Sequence, residues 1–322
     1  MTPKRQETGA ALLTVLMLVA VIGVIAAASL ERLRLSTRLT TNIAASDQAR
    51  AYGYAAETLA RTRIADLRAQ DPEQRSRASW FGRDLPFPID GGTATARLGD
   101  GGNCFNLNSL VIGSADTGYA ARPTGIAQFE ALMTLIGVRA GNAHSIALAS
   151  ADWIDSDTAP QPGGAEDGSY PGFRTPNTLM ADASELKTVA GVTPDLYARI
   201  RPWVCVLPDV TLSPVNINTL SPAQAPLIAM MIPGKLSLKA AKQMIDDRPA
   251  GGYATSVNFW SLPALAGVTP SPEVLNQPQR ITRWFALDLT IVLAGAELRE
   301  TAMIDGGPTP ARLISRSYGD QP

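Results

Sequence analysis

Apolar residues change their spacing along this chain, and each change predicts an element. Ala10 to Leu30 carries no charged side chain, and at about 1.5 Å per residue a helix of that length crosses the roughly 30 Å hydrocarbon core of a bilayer. From Leu35 the apolar positions thin out to helical steps, at Leu35, Leu39, Ile43, Ala49, Tyr52, Ala56, Ala60, Ile64 and Leu67, which marks one face of a helix. No proline interrupts before Pro72. The pattern predicts one continuous helix of about 60 residues, near 90 Å long, with a membrane-spanning part over 10–30 and an amphipathic extension over 31–71.

After Pro72 the material becomes strand-like. Leu85 to Ile89, Thr93 to Leu98 and Cys104 to Asn108 read as strands around a Gly99 to Gly102 turn. Near the other end Trp284 to Leu293 alternates, Leu298 to Ile304 follows Gly295, and Arg312 to Tyr318 can pair as a last antiparallel strand across Asp305 to Gly307. Segments 72–107 and 280–322 thus predict a small antiparallel β-sheet packed on the long helix, interrupted by a large inserted all-α domain over 108–279. The expected class is α+β.

The insertion repeats itself. Asn106 to Leu110 (Asn-Leu-Asn-Ser-Leu) echoes Asn216 to Leu220 (Asn-Ile-Asn-Thr-Leu), and Ala190-Gly-Val-Thr-Pro194 recurs identically as Ala266-Gly-Val-Thr-Pro270. Between them the copies share Ala127-Gln128 and Ala223-Gln224, a helix ending at Gly137 or Gly234, and a second helix ending near Asp152 or Asp246. Copy one covers about 106–200 and copy two about 216–275. In Ala190 to Pro194 glycine permits a tight turn, Thr193 is placed to cap, and Pro194 suits the first helical position. This is a helix-hairpin-helix, or SAM-like, unit. The stretch from Asn216 to Gly252 resembles the helix-hairpin-helix module of membrane-anchored DNA-uptake proteins. Such a module grips phosphate with backbone N–H groups and basic side chains. Lys235, Lys239 and Lys242 supply a basic face in copy two, whereas Asp182, Glu185 and Asp195 make the first copy's hairpin acidic.

Composition narrows the choice. With 28 Lys plus Arg against 29 Asp plus Glu, the chain has no global attraction for nucleic acid, which favours a structural or protein-binding use of the hairpins. The two cysteines, Cys104 and Cys205, match neither a zinc cluster nor a CxxC redox pair. They are candidates for one disulfide between head and insertion, or for two buried thiols. His144, the one histidine, falls in an apolar helical stretch and reads as structural. No Gly-x-Ser-x-Gly, Walker A or HExxH spacing occurs, so the expectation is a protein that is not an enzyme.

The copies differ most in one loop. Asp152 to Gly191 takes 39 steps where Asp246 to Gly267 takes 21. The extra residues hold Asp152, Asp155, Asp157, Glu166 and Asp167 in a Gly/Pro-rich segment over 152–170, with no Lys or Arg until Arg174. Such a segment is either a solvated acidic loop or a site for a cation that cancels the repulsion. Asp155, Asp157 and Glu166 fall at positions one, three and twelve of an EF-hand, but Ala159 and Pro160 occupy positions five and six, so it is not an EF-hand.

The leader ties these features together. Lys4 and Arg5 precede Gly9, and the apolar run begins at Ala10. Ala26-Ala27-Ala28 also satisfies a signal-peptidase pattern, but the helical stripe beyond it favours an anchor that stays attached. This layout resembles the type IV pilin and pseudopilin family. It implies cleavage after Gly9 by prepilin peptidase, with Ala10 as the new, methylated N-terminus. Most members have Glu as the fifth mature residue; here it is Thr14. A carboxylate in lipid costs about 2.5 to 3.5 kcal/mol, and in pilins its implied reward is pairing with a neighbour's N-terminal amine. A subunit with no neighbour beyond it can dispense with that group.

The missing Glu, together with Asp152-Trp-Ile-Asp155, Asp157 and Gly163 to Asp167, is similar to the K family of type II secretion minor pseudopilins (GspK). The resemblance covers nearly the whole chain. It implies Ca²⁺ bound by Asp155, Asp157, Glu166 and Asp167. It also implies a place at the pseudopilus tip with minor pseudopilins I and J, contact with H, the major pseudopilin and secreted substrates, and an inner-membrane anchor carrying a periplasmic domain. Arg32, Arg34 and Arg38 outnumber Lys4 and Arg5, against the positive-inside tendency, so this orientation rests on the resemblance. The other function considered is a membrane-anchored DNA-binding protein of a DNA-uptake system.

Overall fold

A computed structural model of the protein describes residues 7–74 and 81–319. Residues 1–6 of the leader, Lys4 and Arg5 among them, lie outside the described residues. Helix α1 (Glu7–Gln70) runs unbroken for 64 residues, about 95 Å at the α-helical rise. Among the described residues it is the one helix long and apolar enough to cross a membrane. From Gly9 its residues are exposed through Ala44, Leu35, Leu39 and Ile43 included, so the packed face is shorter than the apolar spacing predicts. Packing begins at Ala45 and continues through Ala49, Gly53, Ala56, Glu57, Ala60 and Ile64. These mostly small side chains let the helix axis lie close to a sheet.

That sheet is antiparallel. After β1 (Asp84–Phe87) and β2 (Gly92–Asp100) the chain enters the insertion. There it forms β3 (Phe105–Asn106), β4 (Val111–Ser114), β5 (Gly118–Ala121), α2 (Pro123–Leu135), α3 (Ala140–Asp152), α4 (Pro194–Ile200) and β6 (Val204–Cys205). Four short helices follow, α5 (Ala225–Ala229), α6 (Leu238–Asp246), α7 (Ser256–Trp260) and α8 (Pro272–Leu275). The chain returns as β7 (Trp284–Leu293), β8 (Ala296–Asp305) and β9 (Arg312–Tyr318), and the strand order is β1-β2-β7-β8-β9. From Leu287 to Leu293, β7 alternates strictly between buried and exposed positions, the mark of a sheet with one face on a core. Ile64, Phe285, Leu287 and Ile304 pack together at one end of the helix–sheet interface, and Ala49, Ala94 and Ile291 at the other.

Asp100 pairs with Phe285 across the sheet, so the insertion leaves and returns side by side. A half-buried carboxylate fixes this junction. Asp100 accepts from Thr219 Oγ1 at 2.9 Å, Thr282 Oγ1 at 2.6 Å and the Gly102 N–H at 2.9 Å, and burial raises its pKa. Phe105 and Asn106, read from the sequence as head, instead pair in parallel with Val204 and Cys205 inside the insertion. With the β4–β5 hairpin, this means that the insertion is mainly, not wholly, helical. Next to that short ladder Cys104 and Cys205 are joined as a disulfide, Cα atoms 5.7 Å apart.

The two echoed segments make matching contacts. The Asn106 and Asn216 side-chain oxygens accept from the N–H groups of Asn108 and Asn218. Asn108 then pairs by both amide atoms with the backbone of Met180, and Asn218 likewise with Tyr253. Ser109 donates back to the carbonyl three residues earlier, and Thr219 Oγ1 lies 3.2 Å from the equivalent carbonyl. In the identical pentapeptides Gly191 and Gly267 have φ of +85° and +77°, a left-handed turn that glycine adopts without a Cβ clash.

Candidate metal centre

Helix α3 delivers the acidic loop. Asp152, its last residue, is fully buried, and its carboxylate accepts from the backbone N–H of Gln161 at 3.1 Å and of Ala165 at 2.7 Å. These bonds fold the loop back on the helix end. The fit is tight at Gly164, where a Cβ would lie 1.9 Å from Asp152 Oδ2. On the other side Trp153 packs edge-on against Tyr170 and Phe173 and donates to Glu185 at 3.3 Å, and the Tyr170 hydroxyl accepts from the Ala190 N–H at 3.2 Å. The loop is therefore fastened to the turn that begins α4.

This fold-back gathers three carboxylates. Asp155, Asp157 and Glu166 each offer an oxygen, all within 4.8 Å of one another. Asp155 is fully buried and Glu166 nearly so, and both Asp155 oxygens and Glu166 Oε1 have no hydrogen-bond partner. Burial first, then the charges of Asp157, Asp152 and Glu166, pushes Asp155 up to about 7. Burial also raises Glu166. Buried carboxylate oxygens without donors are costly, and a hard cation that takes several oxygen ligands fits this donor set.

Asp167, expected as a fourth ligand, is outside the group. Its carboxylate accepts from the Thr175 N–H at 2.9 Å and Thr175 Oγ1 at 3.0 Å, and Arg174 Nε lies 3.8 Å away. Two residues that the sequence reading left aside stand at the site. Thr175 Oγ1 also reaches Glu166 Oε2 at 2.9 Å, which orients that side chain. Asn177, with φ of +49°, donates to the Asp157 carbonyl at 2.9 Å while its own Oδ1 is buried and unpartnered. A Pro-Asn pair just after an acidic loop is the signal that could have found it.

The other sequence-marked residues lie apart. His144 is exposed on α3, its Nδ1 2.9 Å from Glu130 Oε2, so it is a surface pair rather than the packed histidine expected. Thr14 donates to the Ala11 carbonyl at 2.8 Å within α1, so no charge occurs at that level of the span. Gly9 and Ala10 are helical and exposed. Lys235, Lys239 and Lys242 are exposed.

A long helix with an apolar, uncovered first half, laid by its second half on an antiparallel sheet, defines a membrane-anchored pseudopilin with an inserted domain. The family model described as type II secretion system protein K matches residues 215–277, and the model of its first part matches 103–209. The two meet where the repeated halves meet. Type II secretion system protein K of Pectobacterium carotovorum is 32% identical over 98% of both chains, and that of Klebsiella pneumoniae is 32% identical over 98% of this chain and 97% of its own. The crystal structure of the GspK-GspI-GspJ complex from enterotoxigenic Escherichia coli contains a chain similar to this one, with TM-score 0.72 and 26% identity over 85% of this chain and 97% of that one. The chain belongs to the type II secretion system protein K family and is a minor pseudopilin of that system. This membership displaces the DNA-uptake reading of the hairpins.

Proposed function

We propose that this protein caps the pseudopilus tip, together with minor pseudopilins of the I and J types, and initiates pseudopilus assembly in the inner membrane. The observation that carries the reading is where the insertion is attached. Phe285 packs on Ile64 near the end of α1 farthest from the apolar span, while Ile291 packs on Ala49 nearer to it. Since the insertion joins the sheet at Asp100 and Trp284, its bulk stands past the far end of the shaft, where it obstructs any further subunit. The Thr14 substitution agrees with this, because a tip subunit has no neighbour beyond it for a buried carboxylate to meet.

The partner assignment rests on similarity to the K chain of the GspK-GspI-GspJ complex. The same similarity supports a periplasmic head, cleavage after Gly9 by prepilin peptidase, contact with the H and major pseudopilins and with secreted proteins, and a role that is not enzymatic. The duplicated helix-hairpin-helix units serve as packing modules, their polar asparagines consumed in backbone contacts. The acidic loop holds Ca²⁺ through Asp155, Asp157 and Glu166, with Asn177 Oδ1 and water completing the oxygen shell and Asp167 restraining the loop behind it. Such an ion neutralises the carboxylates and locks the insertion's first half.

The test is co-expression of the full chain with the I and J pseudopilins of the same cell, followed by extraction in detergent and co-purification. A stable complex of the three is expected. A full chain that never copurifies with either partner, while binding calcium and folding normally, contradicts the tip reading.

A further inference from the structure

A second carboxylate cluster lies where α1 crosses the far edge of the sheet. Glu57 on α1, Glu300 on β8 and Arg316 on β9 meet there, with side chains 7%, 0% and 26% exposed. Arg316 donates through Nε and Nη2 to the two oxygens of Glu57, and its guanidinium also stacks over the Tyr54 ring, 4.7 Å from the centroid. This leaves Glu300 with its nearer oxygen 3.7 Å from Arg316 Nε and with no donor to either oxygen. The helix is cut away to admit it: a Cβ at Gly53 would come within 2.9 Å of Glu300 Oε2. Two buried carboxylates thus share one guanidinium. Unlike charges can satisfy only one of them, whereas a protonated Glu300 can donate to Glu57.

We propose that Glu57, Glu300 and Arg316 form a proton-dependent latch between helix α1 and strands β8 and β9, closed while the carboxylate pair holds one proton and loosened when that proton leaves. A second positive charge nearby, Arg61, acts on Glu57 rather than on Glu300. From α1 the facing charged or titratable groups are Tyr54, Glu57 and Arg61, and from β9 they are Arg316 and Tyr318. The residue opposite Glu300 on β7 is Leu289. Arg61 is engaged with the Ala311 carbonyl at 2.7 Å. Burial, followed by the closeness and charge of Glu57, pushes Glu300 up to about 7, while at Glu57 burial is outweighed, chiefly by the contacts with Arg316, and its pKa is lowered. A carboxyl raised from 4.5 in the unfolded chain binds more protons when folded, so its contribution is full below 4.5 and is lost as pH rises through about 7. The head's grip on its shaft then follows the acidity of the fluid around it.

Thermal unfolding of the full chain in detergent micelles, at saturating Ca²⁺ so that the acidic loop is neutralised, tests the latch between about pH 5.5 and 8. The wild-type melting temperature falls by about 3 °C or more as pH rises, reflecting a roughly tenfold loss in the folding equilibrium. E300Q removes that slope and E57Q moves it to lower pH. An E300Q protein that keeps the wild-type slope overturns the proposal. If E300Q fails to fold, the Glu300 carboxyl carbon of the wild type is followed by NMR: a midpoint near 7 supports the latch, and one near 4.5 refutes it.

Discussion

Among the described residues two carboxylate clusters, each with buried members, differ in completeness. In the acidic loop Asp155, Asp157 and Glu166 converge, and both Asp155 oxygens and Glu166 Oε1 have no hydrogen-bond partner. Beside the shaft Glu57 and Glu300 converge on Arg316, a cation supplied by the chain itself. Each cluster holds one carboxyl, Asp155 or Glu300, that burial lifts to about 7. The difference decides what each answers to. Neutralising the loop group takes a cation from outside the chain, as proposed for Ca²⁺, whereas at the shaft Arg316 pairs with Glu57 and leaves Glu300 without a donor.

The largest expected effect comes from removing the built-in cation. R316A leaves Glu57 and Glu300 facing each other without compensation, and denaturant unfolding should register a loss of about 3 to 5 kcal/mol, the usual cost of stranding one partner of a buried ion pair. Next is the supplied cation. At about 100 times its dissociation constant, Ca²⁺ should stabilise the wild type by roughly 2.7 kcal/mol, and D155N should abolish that gain in the same thermal assay. The pH slope tied to Glu300 follows, at about 1.4 kcal/mol between pH 5.5 and 8, and it should persist in D155N because the two clusters share no partner. The smallest effect separates Asp167 from the ligands. D167N should weaken Ca²⁺ binding far less than D155N, since its loss touches Thr175 and not the ion; equal losses would return Asp167 to the ligand set.

The same contrast explains what the sequence made legible. The long helix and the strands β7 to β9 were readable because local spacing encodes them: Leu287, Leu289, Ile291 and Leu293 alternate with Asp288, Thr290 and Val292. The acidic loop was readable because its members are neighbours in sequence. Within it, however, Asp152 and Asp155 belong to one tetrapeptide and take opposite roles, the first consumed by Gln161 and Ala165 N–H groups and the second left bare. Only the path of the returning chain distinguishes them. For the same reason Asp167 is held by Thr175 while Asn177 Oδ1 is left without a partner. The strand at Phe105 and Asn106 was legible as a strand but not its place in the insertion, because its partner, Val204 and Cys205, lies about a hundred residues away. Leu35, Leu39 and Ile43 continue the apolar face, yet the head begins only at Ala45, and periodicity carries no information about where a partner ends. The latch was invisible altogether. Glu57 looks like any polar residue of an amphipathic helix, and its meaning depends on strands from the opposite end of the chain.

Isothermal titration of Ca²⁺ into the chelator-treated full chain, in parallel with D155N, tests the central contrast most directly. Saturable binding by the wild type and none by D155N is the expected result. A wild-type chain that takes up no Ca²⁺, or a D155N chain that binds it equally well, would contradict the assignment of the acidic loop as a site completed from outside.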